Sequence, residues 1–165
     1  MIQRFASFML CMMVSACGFQ LRGNSSGPTL EVPVHLQAGS VAEETRSAII
    51  GALDAGGVKL VAPSQARLVL VVSNEQLHKW PIANSLTLNS SDYEMVVELH
   101  FRLENLETGE ALADSLVRVS QLFESDRSNL LASRREEAVI LAEARAEVAQ
   151  RLVERVRFSA TRYKP

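Results

Sequence analysis

A stretch of strict alternation, Tyr93–Glu104, constrains the fold of this chain more than any other feature. Every odd-numbered residue of this stretch is apolar, and every even-numbered residue except Val96 is charged or polar. Because successive side chains of a β-strand point to opposite faces, the pattern predicts a strand with one core face and one face toward water or a polar partner. At about 3.3 Å per residue this strand is about 40 Å long.

An antiparallel hairpin is predicted directly after this strand. Asn105–Glu110 contains Gly109, which tolerates the positive backbone angle that such turns require. Leu112–Glu124 then reads as a less regular returning strand, in which Val117 and Val119 share a face with Phe123.

A central strand is predicted earlier in the chain, at Ala66–Ser73, because this run is apolar on both faces. Its extension Asn74–Trp80 is more polar, and Pro81 is expected to end it, since proline cannot donate a ladder hydrogen bond. Ser85–Asp92 is expected to be a loop or a frayed strand.

The first predicted strand is Thr29–Leu36, and Pro33 within it indicates an edge position or a bulge. The first helix is predicted to start at a capping box formed by Ser40 and Glu43, whose side chains satisfy amides of the first turn. Apolar residues then recur at helical spacing, and the pair Gly56–Gly57 is expected to end the helix.

The last helix is predicted at about Arg134–Arg157, after a polar loop at Ser125–Ala132. A second capping box, Ser133 to Glu136, marks its expected start. Arg145 interrupts the apolar stripe of this helix, and we expect its side chain to reach toward solvent along the stripe's edge.

The element order is therefore β-α-β-β-β-α, and the predicted fold class is α+β. The crossover helix makes the first two strands parallel, and the hairpin connections make the others antiparallel. We expect a mixed four-stranded sheet with two helices packed on one face. The predicted core consists of Ile49, Leu53, Leu70, Met95, Val97, Leu99, Phe101, Val119, Leu141, Val148 and Leu152.

The N-terminal segment reads as a secretion signal. Arg4 precedes the uncharged run Phe5–Ala16, whose length of about 18 Å is too short to cross a bilayer core. The run ends in Val14–Cys17, a lipobox-like sequence, so we predict cleavage after residue 16 and a covalent lipid on Cys17.

Removal of residues 1–16 leaves a formal net charge of -3, from 16 basic and 19 acidic residues. The expected organisation is a lipidated N-terminus and tether at 17–28, a single domain at 29–160 and a short C-terminal end at 161–165. In the bacterial lipoproteins that this segment resembles, an aspartate after the cysteine favours inner-membrane retention. Gly18 stands at that position, so the resemblance implies a location on the periplasmic side of the outer membrane.

Composition excludes several classes of function. A sequence pI near 5.9 disfavours a nucleic-acid-binding protein, which needs a basic surface. His35, His78 and His100 lie on separate elements without a metal-binding spacing, so no metal site is expected. No catalytic or phosphate-loop motif is present, so the chain is not expected to be an enzyme, and its only expected cofactor-like group is the lipid on Cys17.

A basic group precedes the last predicted helix: Arg127, Arg134 and Arg135. With the free amides of a first helical turn, these guanidinium groups could hold an anion such as a phosphate. The alternative is an ordinary charged, solvated loop, and the sequence leaves both interpretations open.

The chain resembles the lipopolysaccharide (LPS)-assembly lipoprotein family LptE in four motifs and in the order of its elements over Leu30–Phe158. The motifs are Cys17–Gly23, which reads CGFQLRG, Arg67–Leu70, Tyr93–Met95 and Asn129–Leu131.

This resemblance implies a non-enzymatic outer-membrane lipoprotein that plugs the β-barrel LptD, helps it to assemble, and binds LPS during transport to the outer leaflet. By the same resemblance, basic residues before the last helix and near the connection of strands two and three are implicated in LPS binding. Here the former are Arg127, Arg134 and Arg135, whereas the latter connection has no basic residue and Lys79 is the nearest substitute.

Two other functions remain open. The chain could be a generic periplasmic adaptor lipoprotein that binds another envelope protein through its outer sheet face. A small hydrolase that uses His78 or His100 is the third and least supported hypothesis.

Overall fold

The computed structural model describes residue 30 and residues 32–82, 90–126 and 128–163. The predicted signal segment, Cys17, the tether and Arg127 therefore lie outside the described residues, as does most of the predicted 85–92 connection. Within the described part, the longer elements are β1 (Val34–Gln37), α1 (Glu43–Ala55), β2 (Leu68–Ile82), β3 (Ser90–Asn105), β4 (Ala111–Asp126) and α2 (Leu130–Ala160). A short 3-10 turn at Pro63–Gln65 precedes β2.

The sheet confirms the predicted topology. Its strand order is β1-β2-β3-β4, with β1 parallel to β2 and the other neighbours antiparallel. β1 is an edge strand, as Pro33 indicated, although it begins only after that proline. Val97 pairs with Val119 at the centre of the β3–β4 ladder.

The core lies between the sheet and the two helices. Ten of the eleven predicted core residues are buried, and Leu141 is partly buried against the same cluster. Val69 and Val96 are buried as well, although both belong to the opposite face of the sheet. The outer face is therefore not uniformly wet, because neighbouring side chains cover these two valines.

β2 is longer than predicted, because it continues through Pro81 to Ile82 and pairs with β3 along this extension. β2 pairs with β1 only at Leu68–Val71, so among the described residues the rest of β2 is an edge of the sheet, where proline is tolerated. A bulge between Ser73 and Gln76 interrupts the ladder, and Asn74 there has a φ of 53°, in the left-handed region that asparagine adopts more readily than most residues.

The first predicted capping box is wrong. The N-cap of α1 is Ala42, and its helix has no side-chain cap from Ser40. Instead, the Ala42 amide donates to Glu75 Oε2 at 2.6 Å and the Thr45 hydroxyl donates to Glu75 Oε1 at 2.7 Å. The bulge in β2 thus delivers a carboxylate to the positive end of α1, where a negative charge is stabilising.

Arg145 extends the same group of charges from α2. Its Nε lies 3.6 Å from Glu75 Oε1, and its Nη1 lies 3.8 Å from Glu44 Oε2. The side chains of Arg145 and Glu75 are only 17% and 11% exposed, so Arg145 pairs with a largely buried carboxylate and does not simply reach toward solvent as expected.

The first turn of α1 also carries an exposed i,i+3 ion pair, with Arg46 Nη2 at 2.6 Å from Glu43 Oε2. The hydrogen bond from Arg46 lowers the pKa of the Glu43 carboxyl from its ordinary value. Reciprocally, it raises the pKa of the Arg46 guanidinium. Both side chains are exposed, so this ion pair contributes little net free energy and does not determine the position of the helix.

The second predicted capping box is also wrong, because α2 begins about one turn earlier. Its N-cap is Asn129, whose Oδ1 accepts from the Ala132 amide at 3.2 Å. Ser133 is buried inside the helix. Asparagine is a strong N-cap residue, so the helix starts at a cap inside the predicted loop.

α2 lies antiparallel to β4 over nearly the whole sheet. Its 31 residues span about 46 Å, against about 53 Å for the 16 residues of β4. Arg151 and Arg155 donate to the carbonyl oxygens of Arg118 and Leu116 at 3.0 and 2.8 Å. Two carbonyls of the edge strand are therefore capped by the helix.

The glycine pair after α1 has two separate roles. Gly57 has a φ of 70°, as expected for a residue after a helix end. Gly56 is in the right-handed region instead, and a Cβ built on it would lie 2.7 Å from Val153 Cγ1 of α2. Gly56 is required for the close approach of the two helices.

Candidate functional site

The candidate site is the end of the sheet where β2 and β4 finish, β3 starts and α2 begins; we call it the distal end. It comprises residues 76–82, 90–96, 119–126 and 128–141. Three of the predicted site residues, Lys79, Arg134 and Arg135, lie there. The fourth, Arg127, lies outside the described residues.

Lys79 is positioned by the bulge in β2. Beyond the bulge Lys79 pairs with Met95, which is buried, so the lysine lies on the helix side of the sheet. Its Nζ lies 4.5 Å from the ring centroid of Tyr93 and 5.2 Å from that of Phe123. These two rings stack with centroids 5.6 Å apart, so the ammonium sits against a pair of negative ring faces.

A carboxylate from α2 completes this arrangement. Glu137 Oε2 accepts from Lys79 Nζ at 2.7 Å. The two side chains are 34% and 37% exposed, so solvent and solutes reach the pair. The charge of Lys79 is therefore balanced by the Glu137 carboxylate in this structure.

Arg134 and Arg135 are exposed in the second turn of α2. Neither forms a salt bridge with any residue in the described part of the chain. Because the helix begins at Leu130, its first turn carries no arginine, and the Ala132 amide is already occupied by Asn129. The structure therefore does not bring these guanidinium groups beside free first-turn amides, as the sequence had suggested.

Large apolar side chains are also exposed at the distal end, with relative exposures between 47% and 74%. They come from β2, β4 and the start of α2: Leu77, Trp80, Leu122, Leu130, Leu131 and Val139. The distal end thus combines cationic groups with an apolar surface. That combination suits a ligand that carries both negative charge and hydrocarbon.

The outer face of the sheet, on the side away from the helices, differs between its two halves. Toward the β3–β4 turn it carries ion pairs, with His100 Nε2 at 2.7 Å from Asp114 Oδ1 and Arg118 Nε at 3.4 Å from Glu98 Oε1, and it also exposes Leu116. Toward the distal end, the exposed Trp80 stacks on the ring of His78 with centroids 5.5 Å apart.

Tyr93, Phe123 and Glu137 are the site residues that sequence reasoning missed. Alternation did place Tyr93 on the core face of β3 and Phe123 with Val119, so the ring pair had a detectable signal. The contact of both rings with Lys79 had none, because the bulge changes which face of β2 the lysine occupies. No sequence pattern linked Glu137 to Lys79, since the two residues lie 58 positions apart.

Within the described residues, no group of three His, Cys, Asp or Glu side chains could hold a metal ion. In the same part of the chain, no helix combines the length and apolarity that a membrane span requires.

A family model described as LptE, lipopolysaccharide-assembly, matches residues 28–156. The chain belongs to the LptE family. This match spans all the elements described above except the last turn of α2. The predicted family resemblance is confirmed, and with it a role in LPS assembly at the level of the family.

Solved structures similar to this member of the LptE family share its fold. A minor lipoprotein from Acinetobacter baumannii is 16% identical with a TM-score of 0.66, over 84% of this chain and 100% of that one. Rare lipoprotein B from Shewanella oneidensis is 21% identical with a TM-score of 0.65, over 78% and 96%. An uncharacterized lipoprotein B from Nitrosomonas europaea is 19% identical with a TM-score of 0.65, over 87% and 92%. No curated protein matches the chain.

Proposed function

We propose that this chain is an outer-membrane lipoprotein that plugs the LptD β-barrel, assists its assembly, and binds LPS during transport to the outer leaflet. The lipid on Cys17 anchors it on the periplasmic side of the membrane. Its role is non-enzymatic, and it requires no cofactor beyond that covalent lipid. Membership of the LptE family supports this proposal.

The observation that carries the LPS-binding part is the composition of the distal end. Lipid A, the membrane anchor of LPS, carries phosphates and acyl chains on one molecule. Lys79, Arg134 and Arg135 offer donors for phosphate, and the exposed Leu130 and Leu131 offer apolar contacts beside them. Arg127 stays in the proposed site from its position in the sequence alone.

The outer face of the sheet has a composition that supports the proposed role as a plug of the barrel. Its paired charges, including His100 with Asp114 and Arg118 with Glu98, suit contact with the polar interior wall of a large barrel. A narrow α+β domain about 50 Å long along its strands can occupy a wide barrel lumen.

Purification of the tagged full-length chain from detergent-solubilised outer membranes tests the partner. We expect an integral β-barrel to co-purify in a fixed ratio, and we expect depletion of the chain to reduce surface LPS. Cys17→Ala is the matched control for anchoring, since it removes the lipid and leaves the domain unchanged. Depletion that leaves surface LPS unaltered contradicts the proposal.

The ligand is tested by the double substitution Arg134→Glu with Arg135→Glu. Reversal of two exposed charges at the site is expected to weaken binding of lipid A about tenfold or more at low salt. The matched control is Arg67→Glu with Arg162→Glu, which changes the charge by the same amount at the opposite end of the sheet. Equal losses in the two double variants, or no loss in the first, would exclude the arginines as the site.

One observation favours the generic adaptor as a second function. Trp80 and Leu122 are both exposed on the outer face, in one cross-strand row in which Glu94 of β3 lies between them. An exposed tryptophan is a frequent anchor of protein interfaces. Trp80→Ala distinguishes the two functions: an adaptor loses its protein partner and has no lipid A binding to lose.

A further inference from the structure

We propose that Glu137 is an exchangeable internal counter-ion of Lys79. In this proposal the Glu137 carboxylate occupies the place of an anionic headgroup, and it is displaced when a phosphate-bearing lipid binds. The inference rests on the proposed function, because it concerns how the same end of the molecule takes up its ligand. It assigns to an acidic residue a part in recognition of an acidic ligand.

The first step is that Lys79 keeps its position without Glu137. Its backbone is held in the β2–β3 ladder opposite Met95. Its Nζ lies against the stacked rings of Tyr93 and Phe123, at 4.5 and 5.2 Å from their centroids. Rings hold a cation without neutralising its charge, so an ammonium released by Glu137 stays directed at the same point.

The second step is that Glu137 can leave at low cost. It belongs to α2, a separate element, and its only described link to the sheet here is the 2.7 Å contact with Lys79 Nζ. More than a third of its side chain is exposed, and ion pairs of this kind contribute little net free energy because water competes with them. A phosphate offers up to three charged oxygens in place of one carboxylate contact.

The third step concerns the charges around Glu137 on its own helix. Arg134 lies three residues earlier, at the i,i+3 spacing where side chains of one helix face meet, and it forms no salt bridge in the described residues. A displaced Glu137 carboxylate is therefore close to a guanidinium whose five N–H donors can serve the carboxylate and a phosphate together. The neighbouring Glu136 is exposed and likewise forms no ion pair within the described residues, which makes it a suitable control.

The test uses Glu137→Gln in the full-length chain, with Glu136→Gln as the matched control that removes the same charge one position away. Affinity is measured at low salt for lipid A in nonionic micelles and, separately, for inorganic pyrophosphate. We expect Glu137→Gln to bind lipid A about three to five times more tightly, and Glu136→Gln to change the affinity less than about twofold.

A second background separates the specific contact from general repulsion. Lys79→Met keeps the length of the side chain and removes its charge, so the gain from Glu137→Gln is expected to vanish in the double variant. An equal gain with and without Lys79, an equal gain from Glu136→Gln, or no gain at all would each overturn the inference.

The two ligands keep this inference apart from the proposed function. If wild type binds lipid A and none of the substitutions matters, LPS binding stands and the counter-ion does not. A second outcome is that no variant binds lipid A, while Glu137→Gln gains pyrophosphate affinity that depends on Lys79. This result would support the displacement of Glu137 by phosphate groups in general and would contradict lipid A as the ligand.

Discussion

At the scale of single residues, Gly56 illustrates how one amino acid type serves different needs. The sequence predicts that the pair Gly56–Gly57 ends the first helix, and Gly57 does so with a positive φ. Gly56 is the C-cap residue and is also a packing residue, because Val153 of α2 occupies the space where a side chain would lie. Local pattern cannot reveal this, since the neighbour comes from the other end of the chain.

Gly56→Ala is therefore expected to destabilise the protein by about 1–3 kcal/mol, because the added methyl group must push Val153 away. Urea unfolding measures the change. Gly51→Ala is the matched control: Gly51 lies inside α1 with nothing within 4 Å of a built Cβ. That substitution is expected to stabilise by about 0.5–1 kcal/mol through helix propensity alone. A similar effect from both variants would contradict the assigned packing role.

At the scale of elements, Glu75 connects three of them. It leaves β2 at the bulge, accepts from the first turn of α1, and pairs with Arg145 of α2. Charges at 17% and 11% exposure contribute most through the cost of leaving either one unpaired. Glu75 thus links α1 to both β2 and α2, which a cap from Ser40, next to the helix in sequence, could not do.

Glu75→Ala is expected to destabilise the fold by about 2–4 kcal/mol, since it removes the cap of α1 and leaves Arg145 half-buried without its nearest carboxylate. Glu44→Ala removes the other carboxylate near Arg145, at 3.8 Å but largely exposed, and is expected to cost less than about 0.5 kcal/mol. Thermal unfolding of the two variants measures the difference. A loss from Glu44→Ala as large as that from Glu75→Ala would show that the bulge carboxylate has no special role.

The elements that sequence predicted well are those with long periodic patterns. The sequence predicts β3 because the alternation of Tyr93–Glu104 continues over more residues than a turn or a loop contains. Both helix starts were wrong, since a capping box competes with other caps: a carboxylate from β2 for α1, and Asn129 for α2. The bulge at Asn74 could not be predicted, because one or two extra residues leave the composition of a strand unchanged.

At the scale of the whole molecule, the order and connection of the elements predict the fold and the meeting of the three basic residues of the candidate site. Once the order of elements is known, the end of β2 and the start of α2 must meet, which brings Lys79 toward Arg134 and Arg135. Which of these three residues has an ion-pair partner could not be predicted in this way. Lys79 is neutralised by Glu137 across 58 residues, whereas the two arginines form no salt bridge in the described residues.

The two ends of the molecule differ in how their charges are paired. The end that contains the β3–β4 turn bears paired charges on the outer sheet face, including Arg102 and Asp114, and also exposes Leu106 and Leu116. The distal end has two arginines, Arg134 and Arg135, that form no salt bridge within the described residues and that lie next to exposed leucines. An acidic protein of formal net charge -2 can in this way offer a local basic surface to an anionic lipid.

The two arginines of α2 that cap β4 have a consequence for how the chain is made. Synthesis is vectorial, so the hairpin of β3 and β4 emerges before Arg151 and Arg155 exist to cover its edge carbonyls. During that interval the long edge strand is open to pairing with other extended chains, which is the first step of strand-mediated aggregation. Completion of the last helix, which is about a fifth of the sequence, covers two of these carbonyls and is therefore expected to limit self-association during biogenesis.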